Sequence, residues 1–266
     1  MSDLAGTIVR IAEEAGNAIL AVYNRDGEIQ ASSKQDDSPL TEADLLAHET
    51  IRDELLLIDE TIPIVSEEGR IGNPLNSEKS WLVDPLDGTK EFIKRNGMFT
   101  VNIALMAREG DRWTPVLGVV HAPVTNTTWV GGSETPPQRI VDGNHAPIQV
   151  NQEPGQPIRL VASGSHRGEK DESFAESLGQ HDLIRMGSSL KACIVAEGGA
   201  DLYPRFGPTS CWDIAAAHAI VEAAGGLVIG PDSKRLDYDI VDEVLNPYFL
   251  VACNDEWNAV WQANQG

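Results

Sequence analysis

Three carboxylates and a glycine turn gather around the run Trp81-Leu-Val-Asp84-Pro-Leu-Asp87-Gly88-Thr89, which follows the pair Glu67-Glu68. Residues three apart in a regular strand point to opposite faces. The proline after Asp84 fixes φ and bends the apolar segment, so Asp84 and Asp87 can converge on one side of a turn. Carboxylates held this way suit a hard cation. Mg²⁺ takes octahedral oxygen coordination, keeps several waters, and is usually bound by a few carboxylates together with a substrate phosphate. Gly88 lets backbone amides approach a phosphate closely, and Thr89 sets a hydroxyl beside them. The chemistry this pattern can perform is metal-assisted hydrolysis of a phosphate ester. Taken alone, the Asp-Pro-Leu-Asp-Gly segment is more often just a turn, and the rest of the chain decides between the readings.

Two further carboxylates have both a structural and a chemical reading. Asp44 closes the pattern Thr41-Glu-Ala-Asp44, which is a capping box ahead of an apolar helical run. Asp213, in Cys211-Trp212-Asp213-Ile-Ala-Ala, falls at an expected helix start, where the exposed amides favour any carboxylate. His48, His121, His145, His181 and His218 form no metal-ligand spacing, nor do Cys193, Cys211 and Cys253. The widely spaced, odd set of cysteines points to a reducing compartment.

The chain has 266 residues, with 41 acidic against 20 basic side chains and a formal charge of -21. That excess repels nucleic-acid polymers and anionic membrane surfaces, so a small anionic substrate would need local cations to bind. No apolar run is long enough for a membrane span and no signal segment opens the chain, which makes a cytoplasmic location the expectation. There is no internal repeat, Walker A loop or Gly-x-Gly-x-x-Gly fingerprint to support an ATPase or a dinucleotide oxidoreductase.

The elements that must position these residues follow from periodicity. Leu4 to Val22 and Thr41 to Ile58 predict amphipathic helices, separated by a loop or short hairpin from Ala31 to Leu40. Short strands are predicted at Ile64-Val65, Trp81 to Val83, Thr100 to Leu105, Val116 to Val120 and Thr128 to Val130. The alternation of Val101, Ile103 and Leu105 suggests a sheet covered on one face. Gly131 to Pro157, rich in Gly, Pro and polar residues, is the expected boundary between an N-terminal half, 1–150, and a C-terminal half, 151–266. Beyond it come a strand at Ile158 to Ala162, a helix at Glu169 to Leu178, a strand at Leu183 to Met186 and a helix at Ser189 to Glu197. A helix from Trp212 to Ala224 ends at Gly225-Gly226 and leads into the strand Leu227-Val-Ile. Late elements are a strand at Phe249 to Ala252 and a short helix after Asn254. An α+β half followed by an α/β half is the expected class.

Thr41-Glu-Ala-Asp44, Ser66-Glu67-Glu68, Trp81 through Thr89 and Cys211 through Ala216 together resemble the lithium-sensitive, Mg²⁺-dependent phosphatase superfamily that includes the inositol monophosphatases. Within it the chain is most similar to the 3'(2'),5'-bisphosphate nucleotidases. Lys90-Glu-Phe-Ile-Lys-Arg-Asn-Gly97 replaces the Thr-Asn-Phe continuation common in inositol monophosphatases. Gly187-Ser188-Ser189-Leu190-Lys191 and Tyr203-Pro-Arg205-Phe-Gly-Pro-Thr209 also resemble nucleotidase segments. The likeness runs from the first helix to Asn246-Pro247 and leaves Asp255 to Gly266 without a motif.

The resemblance implies a layered αβαβα sandwich and a set of roles. Glu67, Asp84 and the Leu86 carbonyl would hold one Mg²⁺ ion, and Asp84, Asp87 and Asp213 a second. A third ion near Glu67 and Asp44 would bring the count to two or three. Thr89, paired with Asp44, would orient the attacking water, with Glu67 completing the catalytic set. Glu67, Leu86, Asp87, Gly88, Thr89 and Asp213 would surround the scissile phosphate, while Ser188, Lys191, Arg205, Ser165 and His166 would contact the nucleotide. The implied reaction removes the 3'-phosphate of adenosine 3',5'-bisphosphate to give AMP, with the activated sulfate donor as a second substrate, in support of sulfate assimilation. The implied protein is a monomer or homodimer acting on a small nucleotide, cytoplasmic, with a peripheral place at the inner membrane left open. The alternatives are an inositol phosphate, a sugar phosphate or histidinol phosphate as substrate, or a non-catalytic sensor of phosphorylated metabolites.

Overall fold

The computed structural model describes residues 3–33, 39–163 and 168–265. Its first helix, α1 (Asp3–Tyr23), buries Ile8, Ile11, Ala15 and Ile19 at the spacing read from sequence. Strands β1 (Ala31–Ser33) and β2 (Pro39–Thr41) pair antiparallel, the hairpin alternative for this segment. Helix α2 (Glu42–Ile58) starts at the Thr41 cap, with the capping box to Asp44 formed. The chain then runs through β3 (Ile64–Ser66), β4 (Gly69–Ile71), β5 (Lys79–Asp87), the short helix α3 (Thr89–Ile93), β6 (Thr100–Glu109), β7 (Arg112–Ala122), β8 (Thr127–Gly132), β9 (Thr135–Val141) and β10 (Asn144–Pro147). A second series comprises β11 (Ile158–Ser163), α4 (Glu169–Ser177), β12 (His181–Met186), α5 (Leu190–Ala196), β13 (Leu202–Arg205), α6 (Ala215–Ala223), β14 (Leu227–Ile229), β15 (Phe249–Ala252) and α7 (Asn258–Ala263).

The strands form an eight-stranded sheet, ordered β10-β9-β8-β7-β6-β5-β3-β4, and a five-stranded sheet, ordered β12-β11-β13-β15-β14. Side-chain alternation assigns each face. On the large sheet Ile64, Trp81, Val83, Ile103 and Val119 pack against α1 and α2. Val65, Leu82, Ala104, Val120 and Trp129 share a second cluster with α5, α6 and the inner face of the small sheet. The small sheet's other face, Leu160, Leu202, Leu250 and Ala252, packs on Phe174 of α4 and Trp261 of α7. The result is five layers, αβαβα, with α5 and α6 in the middle.

Three expectations needed correction. The large sheet is covered on both faces, because the residues alternating with Val101, Ile103 and Leu105 are Asn102, Ala104 and Met106, small or adaptable enough to lie under the middle helices. The first part of Gly131 to Pro157, where no strand was expected, carries β9 and β10, which extend the large sheet. Their turn is Asp142-Gly143, both at positive φ (47° and 75°), a hairpin signal that the composition of the segment obscured. The helix expected from Trp212 is broken, with a 3₁₀ turn at Cys211–Asp213 preceding α6. We propose that the division into residues 1–150 and 151–266 falls in the stretch after Pro147, where the first sheet ends and before Ile158 opens the second.

One glycine sets the approach of the middle layer. A Cβ on Gly118 of β7 would lie 1.9 Å from the Ala216 carbonyl oxygen, so only glycine lets the start of α6, and with it Asp213, seat on the sheet.

Candidate active site

The carboxylates converge where β5 leaves the large sheet. Opposite β6, the register runs from Asp84↔Asn102 to Asp87↔Thr100, a bulge of one residue centred on Pro85-Leu86. This irregularity turns Asp87 to the side of Asp84. The Leu86 amide donates to Asp84 Oδ1 at 3.0 Å and closes the turn. β3 runs parallel to β5, with Ser66 opposite Val83, and the Glu67 amide donates to the Val83 carbonyl, so Glu67 arrives beside Asp84. Asp213 comes from the other half. Its 3₁₀ turn is fixed by the Ser210 amide donating to Asp213 Oδ2 at 2.9 Å.

Asp44 serves two purposes with its two oxygens. Oδ2 accepts from the Thr41 amide at 2.8 Å and the Thr41 hydroxyl at 2.5 Å, while Oδ1 faces the Thr89 hydroxyl at 3.2 Å. Thr89 Oγ1 lies 3.3 Å from the Leu86 carbonyl as well, so its one proton has two acceptors in reach. Gly88, at φ 93°, caps α3. A Cβ there would stand 3.0 Å from the Met98 carbonyl and 3.3 Å from Ser188 Cβ.

Electrostatics identify the site independently of any motif. Asp84 is 1% exposed, and burial together with the charges of Glu67, Asp87 and Asp213 pushes its carboxyl well above the usual aspartate range. Asp213 is pushed to about 8, by burial first and then by Asp87. Asp87 is also raised by burial, against the pull of Lys191 and the Ser189 amide. Four crowded acids are costly to keep ionised without cations.

Their all-oxygen donor set, with the Leu86 carbonyl in the same turn, fits a hard divalent ion such as Mg²⁺ and excludes the soft-ligand metals. Among the described residues no three Asp, Glu, His or Cys side chains already surround one point closely enough to hold an ion. Asp84 and Glu67 instead share a hydrogen bond. The backbone has brought these carboxylates together from β3, β5 and the 3₁₀ turn before α6.

Behind the acids lies a hydrogen-bond network that sequence reasoning missed. The Ser189 amide donates to Asp87 Oδ2 at 2.6 Å, and its hydroxyl donates to the Asp213 carbonyl at 2.5 Å. Asn102 Nδ2 donates to Ser189 Oγ at 3.0 Å and lies 3.4 Å from Asp87 Oδ2. Ser189 thus joins the two halves of the site. The available signal was Asn102 itself, a buried amide in the apolar run Val101-Asn102-Ile103. Ser189→Ala is expected to weaken Mg²⁺ binding about 10-fold or more, as loss of a ligand-orienting group generally does. Calorimetric titration of the variant with Mg²⁺ checks this, and unchanged affinity would show that the Ser189 hydroxyl does not orient the ligands, since the backbone amide to Asp87 remains in the variant.

The acids open into a cavity of about 1030 Å³, lined by Glu67, Asp84, Leu86, Asp87, Gly88, Thr89 and Asp213 at one end, and by Lys170, Arg205, Phe206, Pro208 and Tyr248 elsewhere. Arg205 donates to the Pro208 carbonyl at 3.0 Å, and its Nε is buried with no hydrogen-bond partner among the described residues. Lys191 is placed differently from expectation. It is 7% exposed, is not part of the cavity lining, and donates to the Ser188 carbonyl at 2.5 Å. Its ammonium lies 5.4 Å from the Tyr203 ring centroid. Burial lowers its pKa to about 8, with Asp87 the main opposing influence. Ser188 stands beside Gly88 and accepts from Thr100 at 3.2 Å, also outside the lining. Ser165 and His166 lie outside the described residues. Lys170 and Tyr248 carried no sequence signal, since nothing in the local pattern distinguishes them from surface and core residues, whereas Phe206 lies within the Tyr203 to Thr209 segment already singled out.

The remaining reactive groups belong to the scaffold. Cys193, Cys211 and Cys253 are buried free thiols whose pKa values burial raises. His218 is enclosed against the Tyr238 hydroxyl at 2.7 Å and Glu222 at 3.1 Å.

Known proteins resemble the chain over nearly its whole length. The chain is 44% identical over 247 residues to the 3'(2'),5'-bisphosphate nucleotidase CysQ of Escherichia coli (strain K12), covering 92% of this chain and 98% of that protein. It is 41% identical over 239 residues to the CysQ of Buchnera aphidicola, covering 89% and 88%. The crystal structure of CysQ from Bacteroides thetaiotaomicron superposes with a TM-score of 0.78 at 36% identity, over 94% of this chain and 97% of that one. SuhB from Bartonella henselae shares the fold, with a TM-score of 0.81 at 22% identity over 99% of each chain. The profile of the inositol monophosphatase family matches residues 1–259, and the chain belongs to that family.

Proposed function

We propose that this protein is a Mg²⁺-dependent 3'(2'),5'-bisphosphate nucleotidase that removes the 3'-phosphate of adenosine 3',5'-bisphosphate to give AMP and phosphate. The observation that carries this reading is a group of four carboxylates, Asp84 buried and Glu67, Asp87 and Asp213 half-buried, that lines one cavity together with Arg205. Relatives at 41–45% identity bearing the nucleotidase name support the substrate. With 41 acidic residues against 20 basic ones, the chain needs local cations to admit a doubly charged anion, and the cavity lining offers Lys90, Lys170 and Arg205 besides the carboxylates that would hold metal ions.

Glu67, Asp84, Asp87, Asp213 and the Leu86 carbonyl are the groups that would hold the metal, and we take the count to be two or three ions. When bound, Mg²⁺ supplies charge stabilisation for the phosphoryl group and a more acidic water. The chain's own residues do the rest. Thr89 Oγ1 accepts a proton from the attacking water while passing its own to Asp44 Oδ1, which the Thr41 cap keeps in place. The water oxygen bonds to phosphorus in line with the breaking bond to the ribose oxygen. That oxygen leaves and is protonated from solvent, without a covalent enzyme intermediate. Gly88, at positive φ, makes the turn that would set the Thr89 amide beside the phosphate. Arg205 binds the second phosphate as a pre-organised planar donor. Lys191 serves from behind, neutralising Asp87 and fixing the Ser188 carbonyl. The buried, unoxidised cysteines suit the cytoplasm, where we place the protein. No helix among the described residues is long and apolar enough to cross a membrane.

The test is phosphate release with Mg²⁺ from adenosine 3',5'-bisphosphate, inositol 1-phosphate and fructose 1,6-bisphosphate side by side. The expected result is a strong preference for the adenosine bisphosphate with AMP as product. Preference for either other compound overturns the substrate assignment but keeps the metal site, and no turnover of any of them favours a sensor.

A further inference from the structure

The cavity is far larger than a phosphate needs, and part of its wall is built by a segment that carries no family motif. Lys170, in the first turn of α4, lines the cavity and is half-buried there. Its ammonium lies 5.0 Å from the centroid of the Tyr248 ring, and Tyr248 packs edge-on against Phe206 with 5.7 Å between centroids. Phe206 follows Arg205 directly, so Lys170 and Arg205 belong to one continuous wall. Behind that wall stands the C-terminal helix. Trp261 of α7 is fully buried, 5.0 Å from Phe206 and 6.0 Å from Phe174 of α4 between centroids. The Trp261 indole donates to the Gly230 carbonyl at 2.7 Å, which fixes its depth. Asn264 bonds Ser177 and Ser173 of α4, and Lys170 Nζ lies 3.4 Å from the Gln265 carbonyl. The last turn of the chain therefore holds α4 in a set position and gives the Lys170 ammonium a weak, long contact that a stronger anion can displace.

We propose that Lys170 is a specificity-determining residue that binds the non-scissile phosphate of the substrate together with Arg205, and that α7 positions it for this. The proposal rests on the nucleotidase reading above. Its physical basis is the division of charge in the cavity. The acidic end can take one phosphate through metal ions, whereas the second phosphate meets no metal-binding carboxylates and must be neutralised by the protein. Arg205 supplies one positive charge, and the lining's ammonium groups are Lys90 and Lys170, set against Glu91, Glu169 and Asp171; of the two, Lys170 is the one on the wall that Tyr248 and Phe206 join to Arg205. Lys191, expected from sequence to share this task, is buried outside the cavity lining and spends one of its three N–H donors on the Ser188 carbonyl.

The experiment compares kcat/KM for adenosine 3',5'-bisphosphate with kcat/KM for adenosine 3'-monophosphate, which lacks the second phosphate, in wild type, Lys170→Met and Lys170→Arg. The expected result is a fall of about tenfold or more in the bisphosphate-to-monophosphate ratio for the Met variant, carried by KM, with recovery in Lys170→Arg. An unchanged ratio in Lys170→Met overturns the assignment, as does an equal loss on both substrates, which a purely structural lysine would give. Should the Met variant fail to fold, Lys170→Gln carries the same comparison. A wild-type enzyme that shows no preference for the bisphosphate refutes the nucleotidase reading itself and this proposal with it. A wild-type preference that survives in both neutral variants refutes only the role of Lys170.

Discussion

Asp84→Asn abolishes turnover and, in the absence of divalent ions, makes the protein more stable. The first half follows from position. Asp84 is the residue on which both proposed metal sites depend, and losing several kcal/mol of transition-state charge stabilisation lowers kcat by roughly 10³ or more. The second half follows from the crowding of the acids. Asp84 is fully enclosed, and burial plus the charges of Glu67, Asp87 and Asp213 raise its pKa well above the ordinary range. A carboxyl whose pKa is higher folded than unfolded binds its proton more tightly in the native state. Stability is then unaffected below the unfolded value and falls as pH rises from there to the folded value. For Asp213, pushed to about 8, that window runs from the ordinary aspartate range to about pH 8. Each pH unit within it is worth about 1.4 kcal/mol for one group.

The wild-type protein in EDTA should therefore lose thermal stability between mildly acidic pH and pH 8, and recover it when Mg²⁺ is added. Asn at position 84 takes away one charge from the cluster, so its melting temperature in EDTA at pH 8 should exceed that of wild type by several degrees. It should gain little from Mg²⁺. Melting curves from pH 5 to pH 9, with and without Mg²⁺, test both statements. A variant less stable than wild type in EDTA at pH 8 would mean that Asp84 is held by favourable contacts and is not a strained ligand awaiting a cation. Retained turnover would remove Asp84 from the metal site.

The residues that made this site legible in the sequence are those whose spacing is dictated by local geometry. Asp84-Pro-Leu-Asp87 is a bulge in one strand, Thr41 to Asp44 is a capping box within one helix turn, and both appear in the structure as the spacing implied. Ser189 and Asn102 escaped notice because their partners are distant in sequence. Only the packing of α5 and α6 against the large sheet brings Ser189 to Asp87 and Asp213. Lys191 illustrates the converse. Its helical placement was readable, but the depth to which α5 is buried depends on two sheets closing over it from opposite sides. The α4 and α7 wall was invisible for the same reason, since an acidic helix and a short C-terminal helix acquire meaning only through Trp261. Hydrophobic periodicity sets the layers, but which polar residue faces the cavity is decided by the offset between layers.

That Asp44 and Thr89 act as one unit leads to a prediction about non-additivity. Thr89→Val keeps the shape of the side chain and removes the hydroxyl that receives the water's proton, so kcat should fall about 10²–10⁴-fold with little change in KM. Asp44→Asn places an amide where Thr89 needs an acceptor and should cost kcat a similar factor. Because the proton passes through both groups in sequence, whichever is removed first stops the transfer, and removing the second has nothing left to stop. The double variant should thus be about as active as the weaker single variant, where independent effects would multiply to a far lower rate. Thr89→Ser, which retains the hydroxyl, should keep most of the activity. Asp44 has a structural duty too, through Oδ2 and the Thr41 cap. Loss of that cap is worth about 1 kcal/mol of stability and can be measured separately by replacing Thr41 with Ala. If Thr41→Ala lowers kcat as much as Asp44→Asn does, Asp44 acts through helix placement alone. If the two differ by orders of magnitude while their stabilities match, the carboxylate has the chemical role assigned to it. Multiplicative losses in the double variant would break the relay between Thr89 and Asp44.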